Sequence, residues 1–301
     1  MKLEHDTLTA GDGLNITFQR TLRIPDDHRT WRLPPGFGPF PLRAVDALPH
    51  APGWMREKGG VVLPMFQREA MWLSFHAPKP HALKVAVGKV CALTGKSWTD
   101  AKLRRKKQDY LVTPPQPWLD GICTGPGTIR QFVAMPLGSG TTVEGQVTGE
   151  ETVGGLQLLV VPPKKGRFDV PKTRVRRRAC AAPAPAAMMS LDAECNAGSS
   201  MGLAAGGSMK QKLYPDPHGV DTWDLARSER LFVHIVDSRT WTELTGEAMP
   251  ASPVHAKAYQ KAGFPWFDLY DEHLTGLDST PKLKKVRSLG SLLAELRDGS
   301  W

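Results

Sequence analysis

Residues 117–149 read PWLDGICTGPGTIRQFVAMPLGSGTTVEGQVTG, and two short patterns from this stretch return elsewhere in the chain. Pro-Trp-Leu-Asp at residues 117–120 returns as Pro-Trp-Phe-Asp at residues 265–268. Gly-Thr-Ile-Arg-Gln at residues 127–131 returns as Gly-Ser-Met-Lys-Gln at residues 207–211. The stretch therefore predicts strands and turns, and it suggests that the chain contains related parts.

Two interpretations of these echoes stay open. Leu-Thr-Gly precedes Pro-Trp in both halves, at residues 93–95 and 244–246, so two patterns recur in the same order. An ordered recurrence favours an internal duplication that produces two related lobes. The glutamine-containing pattern, however, follows Pro-Trp in the first half and precedes it in the second. Either the repeat is permuted or this last match is accidental.

The composition favours an α+β, β-rich protein of two lobes. The chain has 301 residues, which is enough for one large core or two modest ones. Its 26 prolines and 29 glycines exceed average usage and favour many turns over long helices.

A change of composition predicts the domain boundaries. Residues 163–206 begin with a basic run and continue as Ala, Pro and Gly with almost no aromatic or β-branched side chains. Such a segment buries too little apolar surface to offset the entropy of ordering, so we expect a flexible linker. Residues 1–162 then form an N-terminal β-rich lobe and residues 207–301 a C-terminal α+β lobe. A short helix at residues 188–195 is the alternative for part of the linker.

Several segments are predicted to be extended, some from the alternation of apolar and polar residues and one from its proline content. Leu14, Ile16 and Phe18 alternate with polar residues, as in a half-buried strand. Residues 141–147 and 156–161 predict two more strands. Residues 34–42 contain four prolines and predict an ordered, extended surface strap with its two phenylalanines turned inward.

The C-terminal tail has helical periodicity instead. Its apolar residues fall at helical spacing and are Leu283, Val286, Leu289, Leu292, Leu293 and Leu296. We expect an amphipathic helix that packs on the protein itself, with a partner or a membrane surface as the alternative.

The net charge of +9 raises the question of nucleic-acid binding. The charge is concentrated in three basic runs, at residues 102–107, 174–178 and 282–287. These runs contain few aromatic side chains on which bases could stack, and runs of this kind are typical of solvated loops. At most weak, non-specific nucleic-acid binding is expected.

The remaining global features predict a cytoplasmic protein without cofactor or metal. No apolar run approaches the roughly 20 residues that cross a bilayer, and residues 1–15 lack the apolar segment of a signal peptide. The cysteines, Cys91, Cys123, Cys180 and Cys195, have no paired C-x-x-C spacing, so buried or incidental thiols are expected. A homo-oligomer is possible.

Runs along the chain resemble a family of uncharacterised soluble proteins, mostly microbial. The resemblance rests on PMFQREAMWLSF, ALKVAVGKV, PQPWLDGI and RQFVAMPLGSG, all between residues 64 and 140. It extends over much of residues 15–165 and 205–275. No activity is assigned to that family, so the resemblance implies no catalytic residues. It implies that residues 163–200 are the least constrained part.

The echoed patterns supply the candidate binding residues. In Pro-Trp-x-Asp, the proline fixes the backbone before a large ring, and the carboxylate two residues later can accept backbone N–H groups. The unit is either a corner that pins a loop to the core or an aromatic platform for a ligand. We therefore expect equivalent surfaces that bind a small molecule, a peptide or a protein partner, with these candidate residues: Trp118, Asp120, Gln131, Gln211, Trp266 and Asp268.

An enzyme is the alternative. H-E-x-x-H, G-x-S-x-G and P-loop patterns are absent from the sequence, which disfavours the common hydrolases and nucleotide enzymes. A dispersed polar site would combine Asp120, Gln131, His218 and Asp221. The last two belong to PDPHGVDTWD at residues 215–224, which a proline–glycine turn explains more simply than a metal site does.

Overall fold

The computed structural model describes residues 2–27, 29–168, 200–249, 261, 263, 266–267 and 274–298, and the side chains of the last helix through residue 293. Within these ranges the protein is β-rich with short helices, which confirms the predicted α+β class. The strands are β1 Lys2–Glu4, β2 Thr7–Ala10, β3 Leu14–Thr21, β4 Thr30–Trp31, β5 Gly36–Pro39, β6 Arg43–Ala44, β7 Val61–Pro64, β8 Ala70–His76, β9 His81–Val87, β10 Val90–Cys91, β11 Leu111–Thr113, β12 Trp118–Leu119, β13 Gly121–Gly125, β14 Thr128–Pro136, β15 Leu156–Val161, β16 Ser200–Lys210 and β17 Glu229–Val236.

The helices connect or cover these strands. They are α1 Gly53–Lys58, α2 Val143–Thr148, α3 Ser238–Thr245, α4 Pro281–Lys284 and α5 Leu289–Asp298. Three 3₁₀ turns are at Val45–Ala47, Val220–Thr222 and Leu225–Arg227. None of the described helices is long and apolar enough to cross a membrane.

All the described strands belong to one hydrogen-bonded sheet. One part of it runs β1-β2-β3-β8-β14-β16 with antiparallel pairing throughout. The other part runs β7-β17-β15-β9-β11, in which only β7 and β17 are parallel. The two parts join where the start of β16 pairs with the end of β17.

A single large core lies between these two parts. Alternate residues of β3, β8, β9, β15 and β17 all contribute to it, so strands from both predicted lobes share one core. Its members include Leu14, Ile16, Phe18, Met71, Leu73, Phe75, Leu83, Val85, Leu156, Leu158, Leu231 and Val233. The alternation predicted for Leu14, Ile16 and Phe18 is confirmed.

The predicted linker is wrong at its C-terminal end. Residues 200–206 begin β16, which pairs with β14 along most of its length. The small residues there reflect close packing, not flexibility: a Cβ on Gly206 would lie 2.6 Å from Val133 Cγ2, and one on Gly207 would lie 2.4 Å from the Pro25 carbonyl oxygen. At the other end, Lys164 N–H donates to the Thr222 carbonyl at 2.9 Å. Residues 169–199 lie outside the described residues.

Two further local predictions need correction. Residues 143–148 form α2, not a strand, because the Thr142 hydroxyl accepts the Gly145 N–H at 3.0 Å and caps the helix. The C-terminal tail forms two helices, not one. Residues 285–288 separate them, and the Ser288 hydroxyl accepts the Ser291 N–H at 3.2 Å at the start of α5. As predicted, the apolar side packs on the protein, through the buried Leu283, Val286 and Leu289.

The sequence echoes have local explanations in the described residues. Gly95 and Gly246 both have positive φ and donate to the carbonyl four residues earlier, so Leu-Thr-Gly marks a shared turn in otherwise different elements. Residues 128–130 and 208–210 lie side by side as antiparallel neighbours. Pro265 and Asp268 lie outside the described residues, and an internal duplication stays a prediction.

Candidate functional site

A pocket with aromatic walls lies on the outer face of β8 and β12. Trp118 pairs with Ser74 in the antiparallel register, so its side chain shares the face of Ser74 and of Trp72 two residues earlier. Leu73 and Leu119 point to the opposite face and are fully buried in the core. The same alternation places Asp120, two residues after Trp118, beside the two indoles.

The proline-rich strap forms one wall of the pocket. Leu33 exchanges two backbone hydrogen bonds with Phe267, at 2.9 and 3.0 Å, and the Thr21 hydroxyl donates to the Pro35 carbonyl at 2.8 Å. Gly36 lets the strap lie close to the wall, since a Cβ there would lie 3.3 Å from Trp72 Cζ2. The strap is ordered as predicted, but only Phe40 is turned inward, and Phe37 is 42% exposed.

We call this cavity of about 220 Å³ the aromatic pocket. Its walls are predominantly apolar, and Asp120 supplies the only charged side chain among the described residues that line it. The lining residues are Leu33, Pro34, Pro35, Gly36, Trp72, Trp118, Asp120 and Phe267.

The carboxyl group of Asp120 is the unusual feature of the pocket. Asp120 is only 4% exposed. Burial raises the pKa of its carboxyl group from 3.8 to about 7, against smaller lowering effects of hydrogen bonds from Gln211 and Trp118. None of the described basic side chains places a compensating charge beside it. The pocket therefore contains a carboxyl group that changes charge near neutral pH and lacks a counter-cation within the described part of the chain.

Gln211 fixes the position of this carboxyl group. Its Nε2 donates to Asp120 Oδ2 at 2.8 Å, and its Oε1 accepts the Asp120 backbone N–H at 3.1 Å. Gln211 is buried and does not line the pocket. Its role is to hold the carboxyl group in place.

The side-chain amide of Gln131 also donates one hydrogen bond and accepts another, but in a different part of the chain. Its Nε2 donates to the Leu22 carbonyl at 2.9 Å and its Oε1 accepts the Ile24 N–H at 3.0 Å. Both of its polar groups are therefore engaged by the backbone, and the side chain is fully buried. Gln131 braces the chain that leads into the strap and does not line the aromatic pocket.

In the second Pro-Trp motif, the residue that lines the aromatic pocket is Phe267, next to the tryptophan. The Trp266 ring packs on Trp31 with centroids 5.1 Å apart, while the adjacent Phe267, 38% exposed, lines the aromatic pocket. Trp118 and Trp266 thus lie near one pocket and not on two equivalent surfaces. Asp268 lies outside the described residues.

The four residues of the enzyme alternative do not form one cluster. Of Asp120, Gln131, His218 and Asp221, only Asp120 lines the aromatic pocket. His218 and Asp221 are exposed in a turn in which Asp216 accepts hydrogen bonds from Tyr110 Oη at 2.6 Å and Trp223 Nε1 at 2.9 Å. Within the described ranges, no group of three or more His, Cys, Asp or Glu side chains is arranged to hold a metal ion.

Sequence reasoning missed Trp72, Phe267 and the strap as parts of the pocket. A tryptophan at a solvent-facing position of an alternating strand was a usable signal for Trp72, because such a ring needs a covering partner. No local signal showed that Leu33 pairs with Phe267. No protein-family model matches the chain, and comparisons with curated proteins and with solved structures return no significant match.

Proposed function

We propose that the protein is a non-enzymatic binding protein whose aromatic pocket holds a cationic group of a small molecule or of a peptide side chain. The observation that carries this proposal is the buried Asp120 carboxyl group, which none of the described basic side chains neutralises. An ionised carboxylate in such a place is unfavourable unless a positive charge joins it. A ligand that brings this charge removes the free-energy cost of the buried carboxylate, and this gain adds to its binding affinity.

The walls of the pocket suit the same ligand. Indole and phenyl faces attract alkylated ammonium groups, whose charge is spread over apolar substituents. Trp72, Trp118 and Phe267 supply such rings around Asp120. A volume of about 220 Å³ accommodates a small alkylammonium head group.

Choline and its uncharged carbon analogue 3,3-dimethyl-1-butanol test the proposal, because the two probes have the same shape and differ in charge. Isothermal titration calorimetry at pH 8 is expected to show binding of choline and a loss of about tenfold or more in affinity for the analogue. The variants Asp120→Asn and Trp118→Leu should each weaken choline binding.

A matched control is Trp54→Leu, which removes a partly exposed tryptophan from α1, outside the pocket. It should leave choline binding unchanged. Equal affinity for the two probes, or equal losses in Trp118→Leu and Trp54→Leu, would contradict the proposal. The cytoplasmic location and the homo-oligomer expected from the sequence stay predictions.

A further inference from the structure

A second cavity lies between the basic run at residues 102–107 and residues 277–281, which are far apart in the sequence. Arg105 and Lys107, from the run at residues 102–107, line one wall. Thr280 and Pro281 also line the cavity, directly before the run at residues 282–287, whose side chains are not among the lining residues. The cavity has a volume of about 430 Å³, and we call it the basic groove.

The cationic wall is held rigidly by a buried ion pair. Lys84 Nζ lies 3.2 Å from Asp109 Oδ2, with side chains 1% and 4% exposed, and it also donates to the carbonyls of Thr99 and Lys102 at 2.6 and 3.0 Å. Asp109 Oδ1 accepts the Arg104 N–H at 2.9 Å. Contacts with Lys84 and Asp109 therefore hold the loop that carries Arg105 and Lys107 on both sides of these two residues. A solvated basic loop would lack such buried contacts.

Hydrogen bonds also connect the basic loop to residues 214–216, which lie beside the cavity. Gln108 accepts the Asp216 N–H at 2.8 Å and donates to the Tyr214 carbonyl at 3.3 Å, which holds Pro215 at the side of the groove. The Thr280 hydroxyl donates to the Thr94 carbonyl at 2.5 Å. The shape of the groove is thus built from hydrogen bonds between segments that are distant in sequence.

The described lining of the groove contains two cationic side chains, Arg105 and Lys107, and one carboxylate. Within the described part of the chain, neither Arg105 nor Lys107 forms an ion pair with a carboxylate. The one carboxylate in the lining, Asp278, lies 3.4 Å from Lys284 Nζ. Lys107 has φ of 53°, in the left-handed region that glycine or asparagine adopts more easily.

We propose that the basic groove binds a small phosphate ester. An arginine fork beside a lysine matches a phosphate dianion, and the leucines and prolines that also line the groove suit an apolar body attached to it. A nucleic-acid strand is disfavoured, because the cations converge on one cavity and no aromatic side chain is among the described lining residues. This inference does not depend on the aromatic pocket.

Calorimetric titration with phenyl phosphate at about 150 mM salt tests this proposal. Inorganic phosphate and phenol, each of which represents one part of that molecule, are titrated for comparison. We expect saturable binding of phenyl phosphate, weaker binding of inorganic phosphate and the weakest binding of phenol. Arg105→Gln and Lys107→Asn should each reduce the affinity for phenyl phosphate by about tenfold. Asparagine suits a positive φ, so Lys107→Asn removes the charge without straining the fold.

Lys106→Gln is the matched control, because Lys106 lies between the two groove residues and does not line the cavity. It should change the affinity less than about twofold, as expected for an exposed charge at this salt concentration. Absence of saturable binding would overturn the proposal, and so would equal losses in all three variants. Tighter binding of a short single-stranded oligonucleotide, weakened equally by Lys106→Gln and Arg105→Gln, would overturn it in favour of a diffuse nucleic-acid surface.

Discussion

The aromatic pocket and the basic groove bury charge in opposite ways. In the pocket, Asp120 is buried without a counter-cation among the described residues, and burial raises the pKa of its carboxyl group to about 7. Beneath the groove, Lys84 and Asp109 are buried together, 3.2 Å apart, while the exposed cations above them have no acidic partner in the described part of the chain. A buried charge with its partner holds a loop in place, whereas a buried charge without one is available to a ligand.

Glutamine side chains support both sites. Gln211 holds the Asp120 carboxyl group, and Gln108 joins the basic loop to residues 214–216. A neutral amide can donate and accept at once, so it satisfies backbone groups where strand pairing stops without adding a charge. Among the described residues, the charged side chains that line the two sites are Asp120 in the aromatic pocket and Arg105, Lys107 and Asp278 in the basic groove.

The largest expected effect comes from breaking the buried pair under the groove. Lys84→Met removes the nearer and fully buried cation beside Asp109, leaving only the partly exposed Arg104, whose Nε lies 3.8 Å from Asp109 Oδ2, and should lower the free energy of unfolding by about 3–5 kcal/mol. Urea denaturation measures this loss. The double variant Lys84→Met, Asp109→Asn should recover part of it. A loss below about 1 kcal/mol in the single variant would show that the pair does not anchor the loop.

The next effect is the pH dependence of stability caused by Asp120. Because the pKa of its carboxyl group is raised from 3.8 to about 7 in the folded state, the folded protein binds the proton more tightly, and stability is lost as pH rises through this range. The wild type should lose about 3 kcal/mol between pH 5 and pH 8 relative to Asp120→Asn. Denaturation series of both proteins across this range measure the difference. Parallel stability curves would mean that the carboxyl group is not desolvated.

The smallest effect separates the two buried glutamines. Gln211→Ala and Gln131→Ala should each lower the free energy of unfolding by about 1–3 kcal/mol, since each leaves buried backbone groups unpaired. Only Gln211→Ala removes a hydrogen bond that lowers the pKa of Asp120, so only this variant should raise that pKa further. The midpoint of the pH–stability curve reports the shift. An equal shift in both variants would contradict the assigned roles.

The sequence predicted the strand-rich class, the ordered strap and two residues of the aromatic pocket. Alternation at Leu14, Ile16 and Phe18 is a local property, so it was readable without the fold. Trp118 and Asp120 were found because their motif recurs. Gln211 was a candidate because its motif recurs, and it braces the site through its contact with Asp120 without lining the cavity.

What the sequence did not predict depends on contacts between distant segments. The composition of residues 200–206 is the same for a flexible linker and for a strand packed against Val133 and Pro25, and only the fold distinguishes the two. The pairing of Phe267 with Leu33 at the pocket, and the approach of residues 277–281 to the basic loop at the groove, join residues far apart in the chain. Such pairings leave no local pattern.

The pH dependence of choline affinity tests the account of the aromatic pocket most directly. A cation needs Asp120 ionised, so protons compete with it, and affinity should rise about tenfold between pH 6 and pH 8, with its midpoint near 7. In Asp120→Asn the affinity should be weak and constant over this range. An affinity that falls as pH rises, or one that is independent of pH in the wild type, would contradict the claim that the pocket pairs a ligand cation with the ionised carboxylate.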